Sequence, residues 1–175
     1  MDIIPFYSEN ELFGEFSNFY WAPGNYNILN IDNNPKYPKQ VFCQNSEKAI
    51  MITKAVMMDD ENTFRKLLQT SSPSYCKKLG REVQNFNQEK WSSNLEQIAF
   101  SILYDKFNSN QNLKKILLET NNSILVEASK YDNIWGIGID IRDKDIYDQT
   151  KWKGSNILGN TLMKVREILK NNEKV

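Results

Sequence analysis

The chain contains no histidine. That absence removes the Ser-His-Asp triad, the Cys-His pair, the HExxH zinc site and the imidazole general base. Catalysis in such a chain rests on carboxylates, lysine, tyrosine, cysteine, serine or a group borrowed from the substrate. Cysteine is nearly absent too. Cys43 and Cys76 have neither metal-ligand nor redox spacing, so they read as reduced, half-buried thiols. No metal site and no bound cofactor are expected. Net charge is missing as well, with 22 cationic and 22 acidic side chains. A broad basic surface for long nucleic acid is therefore not expected, although one local phosphate pocket is compatible with neutrality. No apolar run approaches the length of a membrane span. The N-terminal stretch MDIIPFYSENELFGEF lacks a basic region followed by a long apolar segment. The expected location is cytoplasmic, with no membrane partner.

What is present suffices for a globular domain. Over 175 residues, 40% are hydrophobic and 12% aromatic, enough for one domain with one core. Ile3, Ile4, Phe6 and Tyr7 suit a first strand. Residues 14–24 mix aromatics with Gly, Ser, Asn and Pro, and Asn-rich turns follow. Pro35 and Pro38 forbid a helix there. Val41 and Phe42 fit a short strand. Asn45 or Ser46 caps a helix reaching about Met57, with Glu47 in its first turn. A second helix is expected from Asp59 to Gln69. A third runs from Ser72-Pro73 to Leu79-Gly80, with Gly80 as its C-terminal cap.

Trp91, Leu95, Ile98, Ile102 and Phe107 recur at helical spacing, and a further helix covers Gln111 to Glu119. Residues 124–128 are β-rich. A long loop over 129–153 carries five aspartates. A last helix starts near Asn156 and includes Leu158, Leu162, Val165, Ile168 and Leu169. Residues 171–175 read as a frayed tail. The expected fold is a predominantly helical α+β single domain over 1–170 with a small β-sheet.

Several residues suit chemistry. Glu47 and Lys54 are seven apart on a predicted helix. They differ by about 20° in facing and lie roughly 10 Å apart along the axis, with Met51 between them. Pairs of this kind are common on helix surfaces. Ser17 and Asn18 lie between Phe16 and Phe19, an arrangement that suits a sugar or planar ligand and equally suits a packed turn. Asp132 and Trp135 stand beside Gly136 and Gly138, which let backbone N–H groups approach an anion while the indole offers a stacking face. The third glycine of a dinucleotide fingerprint does not follow. Arg81 sits at a helix end and suits a phosphate or carboxylate.

Taken together, these segments resemble the NADAR family, also called YbiA-like. The stretches are F-Y-S with G-E-F-S-N-F (14–19), S-E-K-A-I-M-I-T-K-A (46–55), K-K-L-G-R-E-V-Q-N-F (77–86) with Trp91, and K-F-N-S-N-Q-N-L (106–113). The last two are L-V-E-A-S-K-Y-D-N-I-W-G-I-G (125–138) and W-K-G-S-N-I-L-G-N-T-L-M-K-V-R (152–166). The resemblance implies a YbiA-like fold and an N-glycosidase. Its members cleave phosphorylated riboflavin-pathway intermediates, or remove ADP-ribose from modified guanine in nucleic acid.

The resemblance places catalysis on Glu47, Lys54 and Asp132, with Lys54 attacking ribose C1 to form a Schiff base. It places the family's Asp–Trp–Gly segment on Asp132, Trp135 and Gly136, and the expected substrate contacts are Ser17, Asn18, Phe19, Arg81, Trp135, Gly136, Gly138 and Asn156. The implied partner is an ADP-ribose-containing or phosphoribosyl small ligand, or ADP-ribosylated nucleic acid. A module that holds ADP-ribose or NAD without cleaving it is the alternative. Many bacterial members carry His after the Glu and an aromatic-Gln pair next, where this chain has Lys48, Ile50 and Met51.

Overall fold

The computed structural model describes residues 2–172. In chain order its elements are β1 (Ile3–Phe6), β2 (Gly24–Asn27), β3 (Gln40–Cys43), α1 (Ser46–Met57), α2 (Glu61–Leu68), α3 (Pro73–Arg81), α4 (Gln88–Asn108), α5 (Gln111–Glu119), β4 (Ile124–Glu127) and α6 (Ile157–Asn172). Short 3-10 turns occupy Gly14–Phe16, Lys144–Tyr147 and Gln149–Lys151. The class is the expected α+β, mostly helical. Its strands form two two-stranded sheets. Of the tail expected to fray, Asn171 and Asn172 end α6, and residues 173–175 lie outside the described residues. No helix among the described residues is long and apolar enough to cross a membrane.

The contacts group the chain into two compact units. One is contiguous, Trp21–Ser109, and the other joins Met1–Tyr20 to Asn110–Val175.

In the contiguous unit, polar side chains start each helix by accepting from exposed N–H groups. Asn45 accepts from Lys48, Asp60 from Thr63, Ser72 from Tyr75 and Asn87 from Lys90. Pro73 follows its cap at the first turn of α3, where a missing N–H does no harm. The cap at Asn87 starts α4 three residues before Trp91, the first residue of the apolar repeat.

Helix α1 is the unit's centre. Ala49, Ile50, Ile52 and Ala55 are fully enclosed, and α2, α3 and α4 all pack on it. A helix apolar on nearly every side belongs inside a core. Gly80 does not cap α3. The helix runs on through Arg81 to a cap at Glu82. Gly80 sits within the last turn, and a Cβ there would run into the Met51 thioether of α1. Glycine is needed for close helix approach rather than for a left-handed end.

Strand β2 was not legible, since Gly-Asn-Tyr-Asn offers one apolar residue. It exists because β3 pairs with it antiparallel, Tyr26 opposite Val41. Its end is tied down where the Asn27 N–H donates to Asp105 of α4 at 2.7 Å.

In the discontinuous unit, β1 pairs parallel with β4, Ile3 opposite Ile124 through Phe6 opposite Glu127. Val126, Ala128, Ile137, Ile139 and Ile146 form an apolar cluster beside the sheet. Helix α6 packs on β4, where Gly159 permits contact with the Leu125 carbonyl. Arg166 of α6 is buried and donates to Thr120 Oγ1 at 2.7 Å and the Ser123 carbonyl at 3.0 Å, fastening the turn between α5 and β4.

Candidate active site

Glu47 enters α1 at its second position, directly after Ser46 and the Asn45 cap. A carboxylate there is favoured by the N–H groups of the first turn. Its residue is only 7% exposed, so Glu47 and Lys54 are not an ordinary surface pair. Two turns on, Lys54 is the half-buried residue of a helix whose other eleven members are buried.

The Lys54 ammonium donates to the Gly80 carbonyl at 2.7 Å. It also lies 4.5 Å from the ring centre of Phe86 and 5.6 Å from that of Trp91. Burial is the main influence on its proton and lowers its pKa below the ordinary lysine value. Glu47 raises it and Arg81 lowers it again. Burial therefore outweighs the carboxylate, the condition a lysine nucleophile requires. Glu47 and Arg81 thus act in opposite directions on one ammonium.

Lys48, next to Glu47, has a different task. It is 2% exposed and donates to Gln44 Oε1 at 3.1 Å and the Leu68 carbonyl at 3.3 Å. Cys43 and Cys76 are wholly buried, deeper than expected, and burial pushes the Cys43 thiol up to about 12 and the Cys76 thiol up to about 11. Neither is a thiolate nucleophile near neutral pH.

The remaining candidates lie in the discontinuous unit. Ser17 and Asn18 are buried in a turn that follows the Gly14–Phe16 helix, and the Phe19 N–H donates to Ser17 Oγ at 3.1 Å. Phe16 packs edge-on to Phe6 and stacks on Phe13. Asp132 Oδ1 accepts from the backbone of Ile134 at 3.0 Å and Trp135 at 2.8 Å. That carboxylate organises the loop on which Trp135 stands half-buried.

Gly136 is packed against the Glu127 and Asp132 carbonyls, and Gly138 takes a left-handed φ of 69°. Asn156 is 1% exposed. Its amide donates to the Leu125 carbonyl at 2.9 Å and accepts from the Glu127 N–H at 3.1 Å, so both ends of the amide hold β4. Sequence reasoning missed the Gly80 carbonyl and Phe86. A backbone oxygen has no sequence signal, and Phe86 is one aromatic in a polar loop. Among the described residues no three His, Cys, Asp or Glu side chains gather as a metal would need.

This architecture has known counterparts. The NADAR domain model matches residues 5–170, and the chain belongs to the NADAR family. It is 40% identical over 122 residues to N-glycosidase R617 of Acanthamoeba polyphaga mimivirus, covering 70% of this chain and 72% of that protein. It is 29% identical over 167 residues to N-glycosidase YbiA of Escherichia coli, covering 95% and 88%. The NMR structure of E. coli YbiA superposes with a TM-score of 0.73 over 99% of this chain and 88% of that one, at 29% identity. A maize protein, Riboflavin biosynthesis protein PYRR, chloroplastic, is 29% identical over 173 residues, which span 96% of this chain and 25% of that protein.

Proposed function

We propose that this chain is an N-glycosidase that breaks the ribose C1–N bond of an ADP-ribosylated guanine or a related phosphorylated ribosyl compound. The observation that carries the reading is a half-buried lysine with a lowered pKa, on one helix with a buried carboxylate, in a chain similar to proteins called N-glycosidases.

As C1–N breaks, the bonding pair leaves with the base nitrogen and positive charge develops over C1 and the ring oxygen. The Glu47 carboxylate stabilises that charge. Neutral Lys54 attacks C1, and its surplus proton passes to Glu47 and on to the departing nitrogen. The C1–O bond of the ring then breaks as the remaining N–H proton of Lys54 passes to the ring oxygen, leaving a Schiff base between Lys54 and C1, and water adds across C=N to release the free sugar and restore the amine. Arg81, one residue beyond the carbonyl that holds Lys54, supplies a cation for the substrate phosphate. The candidates Ser17, Asn18, Phe19, Asp132, Trp135 and Asn156 enter no step of this scheme.

A second reading, cleavage of a phosphorylated ribosylamino-pyrimidine of the riboflavin pathway, is favoured by the likeness to the maize protein. Both substrates break the same kind of bond. A side-by-side assay on ADP-ribosylated guanine nucleic acid and on the pyrimidine compound separates them by which base is released. Borohydride with substrate should trap a sugar adduct on wild type and none on Lys54→Ala, which should lose turnover. Full activity in Lys54→Ala sinks the covalent route. Affinity for ADP-ribose with no turnover of either substrate would make the protein a binding module instead.

A further inference from the structure

Phe86 is large, apolar and 42% exposed, yet its position is tightly fixed. It stands in the short loop between α3 and α4. On one side the Gln84 N–H donates to Asp60 Oδ2 at 2.8 Å, and Asp60 is itself buried and caps α2 through Thr63 at 3.0 Å. On the other side Asn87 caps α4, and its own N–H meets the Met58 sulfur at 3.2 Å. Between these anchors Asn85 takes a left-handed φ of 55°, a conformation that asparagine tolerates better than most residues. The turn presents the Phe86 ring to the Lys54 ammonium at 4.5 Å. The turn that carries this ring is thus anchored on both sides, at Gln84 and at Asn87.

We propose that Phe86 is a positioning residue, which with the Gly80 carbonyl holds the side chain of Lys54 and sets how readily it gives up its proton. This rests on the glycosidase reading for its catalytic meaning. An ammonium over an aromatic face is attracted by the ring quadrupole, and partial burial strengthens the attraction. The ring therefore favours the charged amine while the surrounding burial disfavours it. The charged groups acting on Lys54 are Glu47 on its own helix and Arg81 on α3. At the start of α2, Asp60 is turned to Thr63 and Gln84. Beyond β3, Lys48 is turned to Gln44 and Leu68. Helix α4 presents the Trp91 ring. Phe86 is the half-exposed member of this cradle, so it can be changed without opening the core.

The test is a titration of the full protein carrying ¹³C-labelled lysine, followed by NMR, with the Lys54 signal assigned by its loss in Lys54→Arg. Phe86→Leu keeps an apolar side chain and removes the ring face. The Lys54 pKa should fall by roughly half a pH unit. Phe86→Tyr restores a ring and should return the wild-type value. The acid limb of the kcat profile should move in the same direction in Phe86→Leu and recover in Phe86→Tyr. An unchanged or raised Lys54 pKa in Phe86→Leu overturns the proposal. So do Leu and Tyr variants that titrate alike, and so does a shifted titration with an unmoved kcat profile. A wild type that turns over no N-glycoside defeats the glycosidase reading and the catalytic role with it, while the titration still decides whether the ring sets the proton.

Discussion

A lysine held near a carboxylate normally stays charged. Lys54 departs from that rule because the loss of water around its amine outweighs the attraction of Glu47. The activity of the proposed glycosidase should therefore rise with pH and level off below the ordinary lysine range, since the neutral amine is the attacking form. Glu47→Gln removes the one charge that raises the Lys54 pKa. Its kcat profile should show an acid limb moved to lower pH, together with a maximum reduced about 10²–10⁴-fold by the loss of the proton carrier. An acid limb that moves upward, or a maximum that does not fall, contradicts the assigned roles. The same burial has a price in stability. Lys54 is harder to protonate folded than unfolded, so it opposes folding below its folded pKa, and the opposition fades as pH climbs toward the unfolded value.

Elements in this chain are fastened by a few close contacts. Gly80 lets α3 approach α1 at Met51. Gly80→Ala should destabilise the protein by about 1–2 kcal/mol through overpacking, and in a Met51→Ala background the same change should cost less in urea unfolding. In the other unit, Asn156 holds β4 through both ends of its amide while adopting a φ of 51°. Asn156→Ala should cost about 2–4 kcal/mol, because it orphans two strand groups and strains the backbone. If the residue serves only structure, ligand affinity per folded molecule stays at the wild-type value.

Much at this scale is legible in local sequence. Helix α5 begins and ends where its apolar spacing says, and Asn45 starts α1 as a capping residue should. The parts that were not legible depend on partners distant in sequence. Tyr26 becomes a strand residue because Val41 and Asp105 are there to receive its segment. The Glu47–Lys54 pair was visible as spacing. The cradle around it was not, because Gly80 contributes a backbone oxygen and Phe86 depends on anchors at Asp60 and Asn87.

For the molecule as a whole, the absent histidines shape the response to pH. No imidazole titrates between pH 5 and 8, so folding stability should be nearly flat there. Stability should fall in acid. Hydrogen bonds from Lys36 and Tyr37 hold the Asp59 carboxyl below the usual range. The Arg142 guanidinium does the same for Asp140, and Thr150 for Asp148. Each contribution is present above the unfolded pKa and is lost as pH drops through the lower folded one. Unfolding midpoints taken from pH 3 to pH 8 measure this directly, and a steep slope between pH 6 and 8 would refute it.

The pairing of β1 with β4 also gives the chain a calendar. Every residue of the unit Trp21–Ser109 has been synthesised before Ile124 exists. Ile3 has no β4 partner to join until more than a hundred further residues have followed it. On a ribosome the helix carrying Glu47 and Lys54 can therefore assemble around its own neighbours early. Strand β1 cannot pair with β4 meanwhile, and their pairing closes one of the longest loops among the described residues.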